Sequence, residues 1–311
     1  MSGKIGIFAA SQVGDIITAT SVFKYKDELW PDKDIVWFCD ARFNDALKFS
    51  PVSEIRPYTG DSRGTVPNYQ ELKRNSGVGP GMNRLDLAKA KNYPSVSDLD
   101  DGYFPLPWML ERAEQRAGIV YPQISQRIFG VDLNRPWRPV LGFSDDERKM
   151  VSEMMGRLPY PRTVLFENSP CAYSAWNDDL TRLVQIMCRN RWGPTNFFFA
   201  SGGHRSGNDM SRFFDDPGCI SGSDLTARQI ALVNDHCSLF VGVAGALTFA
   251  TSCWGAKPTP KLIYTGSQTF GAHYVANGRI EIVTTEEHRH NTQNAENDFK
   301  GRLANLLEEI P

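Results

Sequence analysis

Two glycine turns hold the residues of this sequence best suited to chemistry. The first is Ser11-Gln-Val-Gly14-Asp15. Gly14 permits close approach, and Asp15 stands where a helix begins. Asp15 is placed to act as a general base facing a cleft between lobes, or to cap that helix, because a first-turn carboxylate also satisfies free N–H groups and the helix dipole. The second is Val243-Ala-Gly245-Ala-Leu-Thr248. Its small residues leave a helix N-terminus uncovered, so that N–H groups from Gly245 through Ala246 and Leu247 toward Thr248 can bind a pyrophosphate. The competing reading is a plain β–α turn that uses glycine for its geometry. The pattern is not a G-x-G-x-x-G dinucleotide fingerprint, which argues against an NAD-type oxidoreductase.

Weaker candidates surround these turns. Ser201-Gly-Gly203-His204-Arg205 follows an expected strand and can form a backbone nest for phosphate, or an ordinary surface turn. Asp98-Leu-Asp100 has the spacing of a metal-dependent sugar transferase, but a solvated acidic loop looks the same. Glu286-Glu-His288-Arg-His290 could hold a metal only with convergent ligands, so no metal site and no cofactor is expected. No G-x-S-x-G elbow and no G-x-x-x-x-G-K-[ST] loop is present, which leaves hydrolase and P-loop readings unsupported.

The elements that must position the turns alternate between strand and helix. Lys4–Ala9 reads as a buried strand, Ile16, Ala19, Phe23 and Trp30 as a helix face, and Asp34–Cys39 as the next strand. Tyr58 to Pro94 reads as loops with short helices, and Trp108–Ala117 and Asp145–Leu158 as helices. A second series begins after Pro159-Tyr-Pro161, with strand Thr163–Glu167, helix Asp178–Arg189 and strand Asn196–Ala200. Thr226 and Gln229 fit a capping box, with Leu225 and Ile230 as its staple. Strand Leu239–Val243, helix Ala246–Trp254 and strand Lys261–Tyr264 follow. Phe299, Leu303, Leu306 and Ile310 mark one face of a final helix. The result is an α/β chain of two doubly wound, Rossmann-like lobes, residues 1–158 and 162–290, with a terminal helix over 291–311.

Composition bounds the partners. Hydrophobic residues make up 41% of the 311, enough for two ordinary cores. The net charge of −2 gives no global reason to expect a polyanionic partner. Six scattered cysteines without a C-x-x-C pair suit a reducing cytoplasm, and no signal peptide or membrane-length apolar run is seen. A soluble cytoplasmic protein is expected.

Lys4-Ile-Gly-Ile7, Gly14-Asp15-Ile-Ile17, Trp30-Pro-Asp-Lys-Asp-Ile-Val-Trp37 and the run Arg42-Phe-Asn-Asp-Ala-Leu47 to Pro51 together resemble the opening of a known family. It is that of the ADP-heptose:lipopolysaccharide heptosyltransferases, glycosyltransferase family nine. Ser221 to Val233, then Leu239-Phe-Val-Gly242 and the Gly245 turn, are similar to its donor-binding segment. The resemblance implies a GT-B fold, with donor on the C-terminal lobe, acceptor on the N-terminal lobe and the final helix packing back on the N-terminal lobe. It implies inverting, metal-independent sugar transfer from a nucleotide-diphospho sugar, with Asp15 as base and Ser11, Gln12 and Gly14 on the acceptor side. Ser169, Ser174, Gly203, His204 and Arg205 join Gly245, Ala246, Leu247 and Thr248 on the donor side.

Departures from the family's pattern are specific. Ala244 and Phe249 stand where it has an aspartate and a histidine, and Ser174 where it has a lysine, a loss that Arg205 is placed to offset. The acceptor expected from the resemblance is a glycan or lipid-linked glycan. A modified DNA base is the variant, with cationic loops between Tyr58 and Arg138 as groove; Trp108 and Trp137 are placed to stack there but read rather as packing residues. A non-catalytic nucleotide-sugar binder is the second class.

Overall fold

A computed structural model describes residues 3–9, 12–57, 96–103, 121–167, 177–200, 213–265, 277–284 and 292–311. Expectations for Tyr58–Pro94 and Trp108–Ala117 lie outside those residues. The chain forms two units, Met1–Phe143 and Ser144–Pro311.

In the first unit, strands β1 (Lys4–Phe8), β2 (Asp34–Cys39), β3 (Glu54–Pro57) and β4 (Asp101–Tyr103) form a sheet of order β3-β2-β1-β4. All its pairings are parallel. The unbroken apolar runs of β1 and β2 fit a sheet covered on both faces. Phe8 and Phe38, paired in register, stack at 4.1 Å. The expected first helix is divided into α1 (Val13–Ala19), a 3-10 segment (Thr20–Tyr25) and α2 (Lys26–Leu29). Hydroxyls explain the division. Thr18 donates to the Gly14 carbonyl at 2.9 Å and Thr20 to the Ile17 carbonyl at 2.6 Å, local bonds that compete with the helical ladder. Helix α3 spans Tyr121–Ile128.

The second unit begins with α4 (Asp145–Gly156), capped by Ser144 and Glu147. Strands β5 (Thr163–Glu167), β6 (Asn196–Phe199), β7 (Cys219–Ser221), β8 (Leu239–Val243), β9 (Lys261–Thr265) and β10 (Ile280–Thr284) form a sheet of order β10-β9-β8-β5-β6-β7. It too is parallel throughout. Helices α5 (Asp178–Trp192), α6 (Ala227–Asn234), α7 (Ala246–Ala250) and α8 (Thr292–Glu309) complete it. The expected capping box on α6 is present: Gln229 N–H donates to the Thr226 hydroxyl oxygen at 3.4 Å and Thr226 N–H to Gln229 Oε1 at 3.0 Å.

Two expectations are corrected. The division falls after Phe143, not at Pro159–Pro161, because α4 packs on α6 and belongs to the second unit. Helix α7 stops at Ala250, not Trp254; the Thr251 and Ser252 hydroxyls turn back onto the Leu247 and Thr248 carbonyls at 2.7 and 2.9 Å. The expected face of helix α8 is buried in the second unit's core. Phe299, Leu303, Leu306 and Ile310 are buried there with Val164, Phe166 and Val184.

Candidate functional site

Both glycine turns lie where the strand order reverses. In the first unit β1 is central, with β2 and β3 to one side and β4 to the other. In the second, β5 is central, with β6 and β7 to one side and β8, β9 and β10 to the other. Ligands of open parallel sheets bind beyond the C-terminal strand ends at such points. Gln12–Asp15 follow the end of β1, and Ala244–Thr248 follow the end of β8 beside the end of β5.

At the first point Ala9 N–H donates to the Phe38 carbonyl at 3.1 Å, which ties the exit of β1 to β2. Gln12 is exposed and caps α1, and Gly14 and Asp15 are half-buried. One Asp15 carboxylate oxygen accepts the Gln12 N–H at 2.9 Å. Asp15 therefore does cap the helix. A carboxylate has about four lone-pair sites, so capping does not exhaust it as a proton acceptor. Ser11 lies outside the described residues.

At the second point the order of burial is informative. Val243 and Ala244 are buried, Gly245, Ala246 and Leu247 are half-exposed, and Thr248 and Phe249 are buried again. The exposed stretch thus coincides with N–H groups that have no acceptor within the helix. Gly245 has φ −162°, ψ −169°, an extended conformation open to any residue. Among the described residues, a Cβ added there would come no nearer than 3.9 Å to another heavy atom, the Val243 oxygen. Backbone geometry does not demand this glycine. Five-residue α7 is too short to add much dipole, so the turn offers N–H groups rather than a macrodipole. The Thr248 hydroxyl donates to the Val243 carbonyl at 3.2 Å, which ties the start of α7 to the end of β8. Ser169, Ser174, Gly203, His204 and Arg205 lie outside the described residues.

One residue at this point was not singled out from the sequence. Glu167 ends β5 and is 3% exposed. The signal was an acid closing the otherwise apolar strand Thr-Val-Leu-Phe-Glu.

Asp98 and Asp100 are not a metal pair. Asp98 accepts from Arg56 Nη1 and Nη2, each at 2.8 Å, and from Lys4 at 2.7 Å, and Asp100 pairs with Lys33 at 2.6 Å. Arg56 and then Lys4 hold the Asp98 carboxyl well below the usual range. Lys4, Lys33, Asp98 and Asp100 lie at the N-terminal strand ends, opposite Asp15, and the long Arg56 side chain reaches Asp98 from within β3. Among the described residues no group of three or more His, Cys, Asp or Glu is set to hold a metal ion. Glu286–His290 lie outside them. Trp137 is fully buried and stacks on Tyr25 at 6.1 Å, so it is a core residue rather than a stacking platform. Trp108 is outside the described residues. Burial pushes the Cys39, Cys188, Cys237 and Cys253 thiols up to about 12, which leaves none of them a nucleophile. No described helix is long and apolar enough to cross a membrane.

No protein-family model matches the chain, and no curated protein does. Solved structures do resemble it. One is a glycosyl transferase family 9 protein from Veillonella parvula DSM 2008, at TM-score 0.63 and 12% identity over 99% of this chain and 98% of that one. Another is the E. coli ADP-heptose lps heptosyltransferase II, at TM-score 0.61 and 16% identity over 98% and 99%. A third is E. coli heptosyltransferase WaaC with ADP, at TM-score 0.57 and 12% identity over 99% and 100%. The chain shares the fold of these proteins, two Rossmann-like units, along almost its whole length.

Proposed function

We propose that this protein is an inverting glycosyltransferase that moves a sugar from a nucleotide-diphospho sugar to an acceptor hydroxyl without a metal. The observation that carries the reading is the placement of both glycine turns at switch points. One bears a carboxylate and the other an open row of N–H groups, in a chain with the fold of heptosyltransferases. Asp15 is the general base. It takes the hydroxyl proton as the acceptor oxygen attacks the anomeric carbon, and the bond from that carbon to the diphosphate oxygen breaks. Backbone N–H groups of Gly245, Ala246, Leu247 and Thr248 meet the charge on the departing nucleoside diphosphate. Ser169, Ser174, Gly203, His204 and Arg205 complete the donor side, and Ser11, Gln12 and Gly14 the acceptor side. The acceptor is a glycan or lipid-linked glycan, and the work is done in the cytoplasm.

The test is release of nucleoside diphosphate from a panel of nucleotide sugars, led by ADP-sugars, by the wild type and Asp15→Asn. A fall of about a hundredfold or more is expected, the usual worth of a positioned base. Equal rates would remove Asp15 from the mechanism, and no turnover with any donor would favour a pure binding protein.

A further inference from the structure

The turn at Ala244–Leu247 presents backbone but no polar side chain. A nucleotide sugar is rich in hydroxyls as well as phosphate, and hydroxyls need acceptors. The neighbouring strand has one. Glu167 is almost fully buried at the last position of β5, in register with Gly242 of β8. A Cβ added at Gly242 would lie 2.5 Å from the Glu167 Cβ and 2.7 Å from the Glu167 carbonyl oxygen. Glycine at 242 is what allows the strand to end in glutamate at this depth. Phe166 and Val241 face the core built with α5 and α8. Strand alternation therefore puts Glu167, Gly242 and Ala244 on the opposite face. Lys261, paired with Phe240 on that same face, donates to the Thr251 carbonyl just after α7 at 3.1 Å, so α7 lies over it too.

Electrostatics selects what this carboxylate can bind. It cannot favour a diphosphate, because like charges at close range repel. It favours a group with two O–H donors at the spacing of its two oxygens. We propose that Glu167 is a ligand-binding residue that accepts hydrogen bonds from a vicinal diol of the nucleotide sugar, on either the ribose or the transferred sugar. Gly242 is its seat. The inference rests on the second turn being the donor site. Glu167 already has a partner within the chain, so the diol replaces an existing contact and gains only the difference.

Calorimetric titration of wild type, Glu167→Gln and Glu167→Asp with inorganic pyrophosphate, nucleoside diphosphates and the matching nucleotide sugars tests this. Wild type should bind members of the panel; if it binds none, the donor-site reading falls and this inference with it. Given binding, Glu167→Gln should lose about ten- to a hundredfold for diol-bearing ligands, while pyrophosphate binds as before or tighter. Equal losses for diphosphate and sugar forms place the diol on the ribose, and loss confined to the sugar form places it on the transferred sugar. Unchanged affinities, or the same loss for pyrophosphate, would overturn the proposal. Should Glu167→Gln fail to fold by circular dichroism, Glu167→Asp carries the test. It keeps the charge at shorter reach and should show the same ligand selectivity at smaller size.

Discussion

The buried Arg228 guanidinium holds both carboxylate oxygens of Glu147, with Nη1 to Oε2 at 3.1 Å and Nη2 on Oε1. The same Oε2 accepts the Ser144 N–H at 3.0 Å, so one carboxylate both caps α4 and pins it to α6. Removing one member of a buried pair strands the other. Glu147→Ala should cost about 3–5 kcal/mol in urea denaturation. Replacing both by methionine should recover much of that, because neither charge is then left without its partner.

Lys261 gives a stability signature in pH. Burial lowers its ammonium to about 7, with Cys253, Cys237 and Asp235 opposing weakly. The folded state then binds fewer protons than the unfolded chain between about 7 and the ordinary lysine value, so stability rises with pH across that window and the penalty is full below it. The stability of wild type relative to Lys261→Met should therefore climb from pH 7 to 10, by up to about 1.4 kcal/mol per pH unit. Taking the difference between the two proteins removes the buried thiols, which titrate higher. A flat difference would mean that the lysine keeps its charge when folded.

Two glycines three positions apart should answer oppositely to alanine. Gly242→Ala meets the Glu167 backbone at 2.7 Å and should cost about 1–3 kcal/mol or more by thermal unfolding. Gly245→Ala has room and an ordinary extended backbone, and should leave stability within about 0.5 kcal/mol. A methyl group over the N–H row should nevertheless weaken pyrophosphate binding, read by titration.

Asp15 combines two roles that separate by substitution. Asn retains an oxygen for the Gln12 N–H, and Ala does not. Asp15→Ala should lose about 0.5–2 kcal/mol of stability and Asp15→Asn much less, while both lose turnover alike. Turnover that tracks stability would point to capping alone.

The Asp98 network should be silent in catalysis. Its members are partly exposed, with Asp98 about 40% accessible, and such pairs are worth about 0–1 kcal/mol each. Asp98→Asn should lower stability modestly and leave turnover unchanged, with or without a chelator.

Much of this was legible in sequence because it is local. Thr226 and Gln229 announce a cap by spacing alone, and Leu239–Val243 is an apolar run between clear stops. The face of α8 followed from Phe299, Leu303, Leu306 and Ile310, but its destination did not, since periodicity says that a face is buried and not against what. The early end of α7 depends on hydroxyls at Thr251 and Ser252 choosing backbone carbonyls. The place of α4 depends on a partner for Glu147 that lies in α6. Glu167 was missed because its meaning depends on Gly242, in a distant stretch of chain that pairing brings alongside.

The place of α8 also bears on how the second unit is made. Val164 and Phe166 are synthesised well before Phe299 to Ile310, which close the same core. A parallel sheet whose central strand precedes its covering helix by so much chain is built from distant contacts, which slows folding and lengthens exposure of the apolar centre. Nascent chains cut short before α8 should thus hold an open sheet face, a natural substrate for chaperones.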